Sequence, residues 1–154
     1  MKQLLTTAWS GYQRLCARLP EALPLLLCRL AIASVFWRSA QTKISGWEFI
    51  GQSWQFFNLN DSTFTLFEYE YDLPLLPPEL AAYAGTTVEF FMPVLLLLGL
   101  GTRVAALALF CMTSVIQLFV FPDAWPTHIL WFALLLVLLR QGGGRLSLDA
   151  LLKL

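Results

Sequence analysis

The sequence predicts an all-α integral membrane protein: a four-helix transmembrane bundle, preceded by an interfacial amphipathic helix and carrying a large outer loop between its first two helices. Three observations point there. Hydrophobic residues make up 58 % of the chain and charged ones 13 %, against about 45–50 % and about 25 % in soluble domains. A chain of 154 residues fits one domain, and so small a domain has too little interior to hide that many apolar groups from water. Lipid is the solvent that accepts the excess. The second observation is four long apolar stretches, and the third is the uneven placement of Lys and Arg between them.

The stretches run over about 23–40, 80–99, 104–121 and 126–140. Crossing a hydrocarbon core about 30 Å thick takes roughly 20 helical residues. The last stretch is short, which a thinner local bilayer accommodates. Ahead of them, residues 1–20 place Leu4, Leu5, Ala8, Tyr12, Leu15 and Leu19 at helical spacing opposite Gln3, Thr7, Ser10, Arg14 and Arg18. That pattern predicts a helix lying in the interface with Trp9 as its anchor and ending before Pro20. The stretch lacks the continuous apolar core and small-residue site of a cleaved signal peptide. The four-helix bundle unit then spans 21–154.

Orientation follows from the basic residues. With the N-terminus in the cytoplasm, the inner parts carry Lys2, Arg14, Arg18, Arg103, Arg140, Arg145 and Lys153, and the outer side only Arg38 and Lys43. Both termini are therefore expected inside. The turn Gly99-Leu100-Gly101-Thr102-Arg103 is tight; Gly99 suits a helix end, and Thr102 is the expected cap of the next helix. Such a short connection makes its two helices antiparallel neighbours.

The outer loop, about 44–79, is rich in aromatic and acidic residues. Trp47, Phe49, Ile50, Trp54, Phe56 and Phe57 predict a short helix or re-entrant element at the membrane surface. In the run to Asp72, aromatics at 67, 69 and 71 alternate with acids at 68, 70 and 72, which predicts an extended ribbon. Prolines 74, 77 and 78 stop the second helix from reaching further back.

Charges inside a membrane need a partner or a purpose. Arg29 and Glu89 fall at comparable depths on helices of opposite direction, so a buried Arg29–Glu89 ion pair is expected. It would be a clasp fixing register or the heart of a ligand- or proton-handling site; the alternative is an Arg29 that snorkels to the inner surface and leaves Glu89 unpaired. A second polar set, Arg38, Gln41, Lys43, Gln117 and His128 with Trp125 and Trp131, is placed near the outer surface, with Lys43, Gln117, His128 and Trp131 lining an outer vestibule. A single histidine cannot ligate a haem from both sides. Cys16, Cys28 and Cys111 form no CxxC pair and argue against a disulfide scaffold or zinc site. Cys111, Met112 and Met92 are soft ligands suited to monovalent copper, but neighbours on a helix diverge by about 100° and are read as packing, so no metal site is expected. No nucleophile–base signature is present, and zero net charge gives nucleic acid nothing to hold.

Taken in order, four motifs resemble the DoxX family of small bacterial membrane proteins: Arg29-Leu-Ala-Ile-Ala-Ser-Val-Phe36 leading to Lys43, Glu89 on the second helix, Leu98-Gly99-Leu100-Gly101-Thr102-Arg103 at the inner turn, and Gly142-Gly-Gly-Arg145-Leu-Ser-Leu-Asp149 near the end. The resemblance implies the four-helix fold, the bacterial inner membrane and redox associations. Relatives include a subunit of a thiosulfate:quinone oxidoreductase, a membrane partner in an oxidative-stress complex with superoxide dismutase, and companions of copper-linked peptide-modification systems. The expectation is an accessory or anchoring subunit of a membrane redox complex, oligomeric or bound to a protein partner, with a quinone or other small lipophilic ligand. The alternatives are the membrane subunit of a quinone-reducing oxidoreductase and a transporter or copper-handling protein.

Overall fold

The computed structural model describes residues 19–154 apart from residue 75, together with Trp9, Tyr12, Gln13 and Cys16. The expected interfacial helix over 1–20 falls largely outside the described residues. Among the described residues four helices are long and apolar enough to cross a membrane, with 22, 21, 19 and 20 residues. They are α1 (Ala22–Lys43), α3 (Pro78–Leu98), α4 (Thr102–Val115) continued by a π-helical turn to Val120, and α5 (Trp125–Gln141) entered through a 3-10 turn at Pro122–Ala124. The fourth span is thus longer than the 126–140 read from the sequence, because Pro122 and Pro126 sit in first-turn positions that need no N–H.

Consecutive spans are antiparallel neighbours, and α5 packs back against α1, closing the order α1-α3-α4-α5. The bundle therefore has a tail end, holding the 99–101 turn and the C-terminal segment, and a loop end, holding residues 44–77. Its core is Ile32, Phe36, Leu96, Leu109, Leu135 and Leu138, with Ala33, Ala105 and Ala106 fully buried between them. Small residues at such contacts let membrane helices approach closely. The outward faces are apolar instead of polar: Leu27, Leu107, Leu118, Leu130 and Leu136 are all more than half exposed. Leucines arrayed like this around a bundle face lipid, not water.

The loop end corrects two expectations. Residues 47–54 form a β-hairpin, β1 (Glu48–Phe49) against β2 (Gln52–Ser53), not a short helix. Its turn residues Ile50 and Gly51 both have positive φ, 54° and 66°, which suits a two-residue hairpin turn. The hairpin is pinned to the flank of α1: Trp37 Nε1 donates to Gln52 Oε1 at 2.7 Å, and Gln41 bonds both backbone groups of Ser53. Trp37 lies six residues, or about 9 Å of rise, before the end of α1. The strand pair therefore folds back along the bundle.

The stretch expected as an extended ribbon is helical: α2 (Asp61–Thr65) runs into a π-helical turn, Leu66–Tyr71, closed by Asp72 at φ 34°. The alternation at 67, 69 and 71 concealed a helical set at 64, 67 and 71. Phe67 and Tyr71, four apart, face inward with ring centroids 4.8 Å apart, while Tyr69 is exposed.

Candidate functional site

The expected Arg29–Glu89 pair does not form. On a helix each Cα–Cβ bond tilts toward the N-terminus. Arg29 on α1 therefore leans to the tail end, while Glu89 on the antiparallel α3 leans to the loop end. Lys43, fourteen residues further along α1, leans back toward Glu89 and meets it: Nζ to Oε2 is 2.7 Å, with both side chains buried. Lys43 Nζ also donates to Ser39 Oγ at 2.7 Å. The loop holds the same residue from outside, since Thr63 Oγ1 and Asn60 N–H both donate to the Lys43 carbonyl.

Arg29 has another task. Its guanidinium donates to the carbonyls of Leu96, Leu97, Gly143 and Leu146 at 2.7–3.1 Å. The first two are carbonyls of the C-terminal turn of α3, the negative end of its dipole; that of Leu96 also accepts the Gly99 N–H. The others belong to the C-terminal segment, which Arg29 thereby fastens beneath the bundle. Close approach requires glycine there: a Cβ on Gly143 would lie 2.6 Å from Ser147 Cβ, and one on Gly99 2.8 Å from the Arg29 guanidinium.

Asp149, opening the short helix α6 (Leu148–Leu152), completes the fastening. Its carboxylate accepts the N–H groups of Gly101 and Thr102 at 2.6 and 2.9 Å. Asp149 is therefore the cap of α4, where Thr102 was expected; Thr102 Oγ1 is buried without a hydrogen-bond partner among the described residues. Burial works against the Asp149 carboxylate, but the hydrogen bonds from residues 101 and 102 and the Arg29 charge outweigh it and hold the group below its ordinary range.

Between the four helices at the loop end lies a cavity of about 370 Å³. Its walls are mainly apolar, from Val35, Phe36, Val88, Met112 and Ile116, and Phe67 and Tyr71 of the loop helix border it. Four polar groups join them: Ser39, Tyr71, Glu89 and His128. Members of both sets singled out in the sequence, Glu89 from one and His128 and Trp131 from the other, thus meet at this cavity. His128 and Trp131 line the cavity, with their rings 4.8 Å apart. Gln117 stands behind His128, its Oε1 2.7 Å from Nδ1, and its own Nε2 donates to the Pro122 carbonyl at 2.6 Å. Lys43 stands behind Glu89 and borders a separate groove with Thr63 and Glu70. Arg38 is exposed, Gln41 serves the hairpin, and Arg29 is at the opposite end.

Ser39 and Tyr71 were not singled out, although Ser39 sits one turn before Lys43 and Tyr71 shares the helical set of Phe67. Burial, then the charges of Glu89 and Glu70, push the Tyr71 phenol above its usual range, so it stays an O–H group at neutral pH. Cys111 and Met112 both border the cavity, and among the described residues no three His, Cys, Asp or Glu side chains gather as a metal site would require. The described cysteines are free thiols.

Comparison with known proteins agrees with this architecture. The DoxX family model matches residues 24–122, which takes in α1, the whole loop, α3 and α4. A protein of Haemophilus influenzae, described only as uncharacterised, is 29 % identical over 137 residues, covering 84 % of this chain and 83 % of that one. No solved structure matches. The chain is a multi-pass membrane protein and belongs to the DoxX family.

Proposed function

We propose that this chain is an accessory or anchoring subunit of a redox or oxidative-stress system in the bacterial inner membrane, and that its cavity holds a quinone or another small lipophilic molecule. The cavity carries the reading. A chamber of about 370 Å³ with apolar walls and a few convergent polar groups is the usual make-up of a small-molecule site. Its position among the spans suits a ligand that dissolves in lipid. In the same reading the tail end faces the cytoplasm, because Arg103, Arg140, Arg145 and Lys153 lie there. At the loop end Glu48, Asp61, Glu68, Glu70, Asp72, Glu79 and Asp123 predominate, and one of its two basic residues, Lys43, is neutralised by Glu89. A copper-handling role has less behind it, since only Cys111 and Met112 offer soft ligands to the cavity.

The test is native mass spectrometry and organic extraction of protein purified from its own membrane, beside an Ala108→Phe variant that fills the cavity. A lipophile retained by the wild type and lost from the variant supports the reading. Identical extracts from the two would contradict it.

A further inference from the structure

The cavity's hydrogen-bonding character is set by two residues that do not line it. Gln117 donates its Nε2–H to the Pro122 carbonyl at 2.6 Å, which turns its Oε1 toward His128 Nδ1, 2.7 Å away. A flipped amide would set two carbonyl oxygens against each other. An acceptor at that position requires a donor, so neutral His128 carries its proton on Nδ1 and leaves the Nε2 lone pair free. Nε2 has no hydrogen-bond partner among the described residues, and the ring borders the cavity. On the α3 side, Lys43 holds Glu89 through Oε2. That fixes the carboxylate on the cavity wall with acceptor capacity to spare.

The charged and lone-pair acceptors therefore outweigh the donors. Ser39, Tyr71 and Trp131, which carry O–H or N–H donors, also line the cavity, but all three are neutral, and a hydrogen bond to an ionised partner is about twice as strong as one between neutral groups. A ligand gains most by bringing hydroxyl groups. We infer that the cavity selects its occupant by O–H groups: a lipophilic phenol or hydroquinone that donates to His128 Nε2 and to the Glu89 carboxylate, in preference to the carbonyl form of the same skeleton. Gln117 and Lys43 are the positioning residues. This rests on the cavity being a site for a small lipophile.

The experiment separates the two claims. An alkyl hydroquinone, the corresponding quinone and the dimethyl ether of the hydroquinone are titrated calorimetrically into wild-type protein and into the His128→Phe and Ala108→Phe variants. The wild type should bind the hydroquinone at least about tenfold more tightly than the ether, as expected for hydrogen bonds to charged or unpaired buried acceptors. His128→Phe should shrink that ratio, and a cooperative melting transition in detergent reports that the variant is folded. Equal wild-type affinities for all three, each lost in Ala108→Phe, would overturn hydroxyl selection and leave the lipophile site standing. An unchanged ratio in His128→Phe would overturn the role given to the imidazole. Binding of none of the three would overturn both claims.

Discussion

Lys43 Nζ and Glu89 Oε2 lie 2.7 Å apart, buried between the last turn of α1 and the middle of α3. Removing one partner of a buried pair leaves an uncompensated charge, at about 3–5 kcal/mol. Glu89→Gln and Lys43→Met should each lower the melting temperature in detergent, and the double variant should recover a substantial part of the loss. Simple additivity of the two changes would remove the pair from the account.

Arg29 and Glu89 share no partner, because their side chains lean to opposite ends of the bundle. Arg29→Gln combined with Glu89→Gln should therefore add within about 0.5 kcal/mol, as independent sites do. Arg29→Gln alone should release the segment it fastens to the bundle, seen as faster proteolysis after Gln141. Protease resistance equal to the wild type would contradict the fastening role.

The Asp149 carboxyl is held below its ordinary range, so the sign of its pH effect is fixed. A depressed carboxyl stabilises the fold above its unfolded value, about 3.9, and that stability is lost as pH falls through the folded value. Asp149→Asn should weaken the cap of α4 by about 0.5–2 kcal/mol at neutral pH. The gap from wild type, measured by melting temperature, should narrow below about pH 4. A gap that widens on acidification would contradict the capping geometry.

Topology is testable by single-cysteine labelling with a membrane-impermeant maleimide in a background lacking Cys16, Cys28 and Cys111. Positions 60 and 72 should label from outside intact cells, and positions 102 and 150 only after permeabilisation. Outside labelling of position 102 would reverse the proposed orientation.

The four spans were legible because lipid imposes long apolar runs, and the tight turn was legible because Gly99 and Gly101 both take positive φ, 67° and 57°. Pairing was less legible. Depth alone matched Arg29 with Glu89, and the direction in which helical side chains lean was needed to match Lys43 instead. The short run from 66 to 71 misled because six residues fit period two and period 3.6 almost equally; contact of Phe67 and Tyr71 with the cavity decides for the helix. Asp149 as a cap could not be read locally, since it lies 48 residues from the Gly101 N–H that it accepts. His128, Gln117 and Trp131 were visible as scarce polar and aromatic residues near one end. Ser39 escaped notice because a lone serine in a helix carries no signal.

The most direct measurement is photoaffinity mapping with a diazirine-bearing alkyl phenol in native membranes. Cross-linked peptides should carry label at Val88, Met112, Ile116 or Trp131, on the cavity walls, and excess hydroquinone should suppress it. Label confined to lipid-facing positions such as Leu107, Leu118 and Leu130, and unaffected by competitor, would contradict a binding site within the bundle.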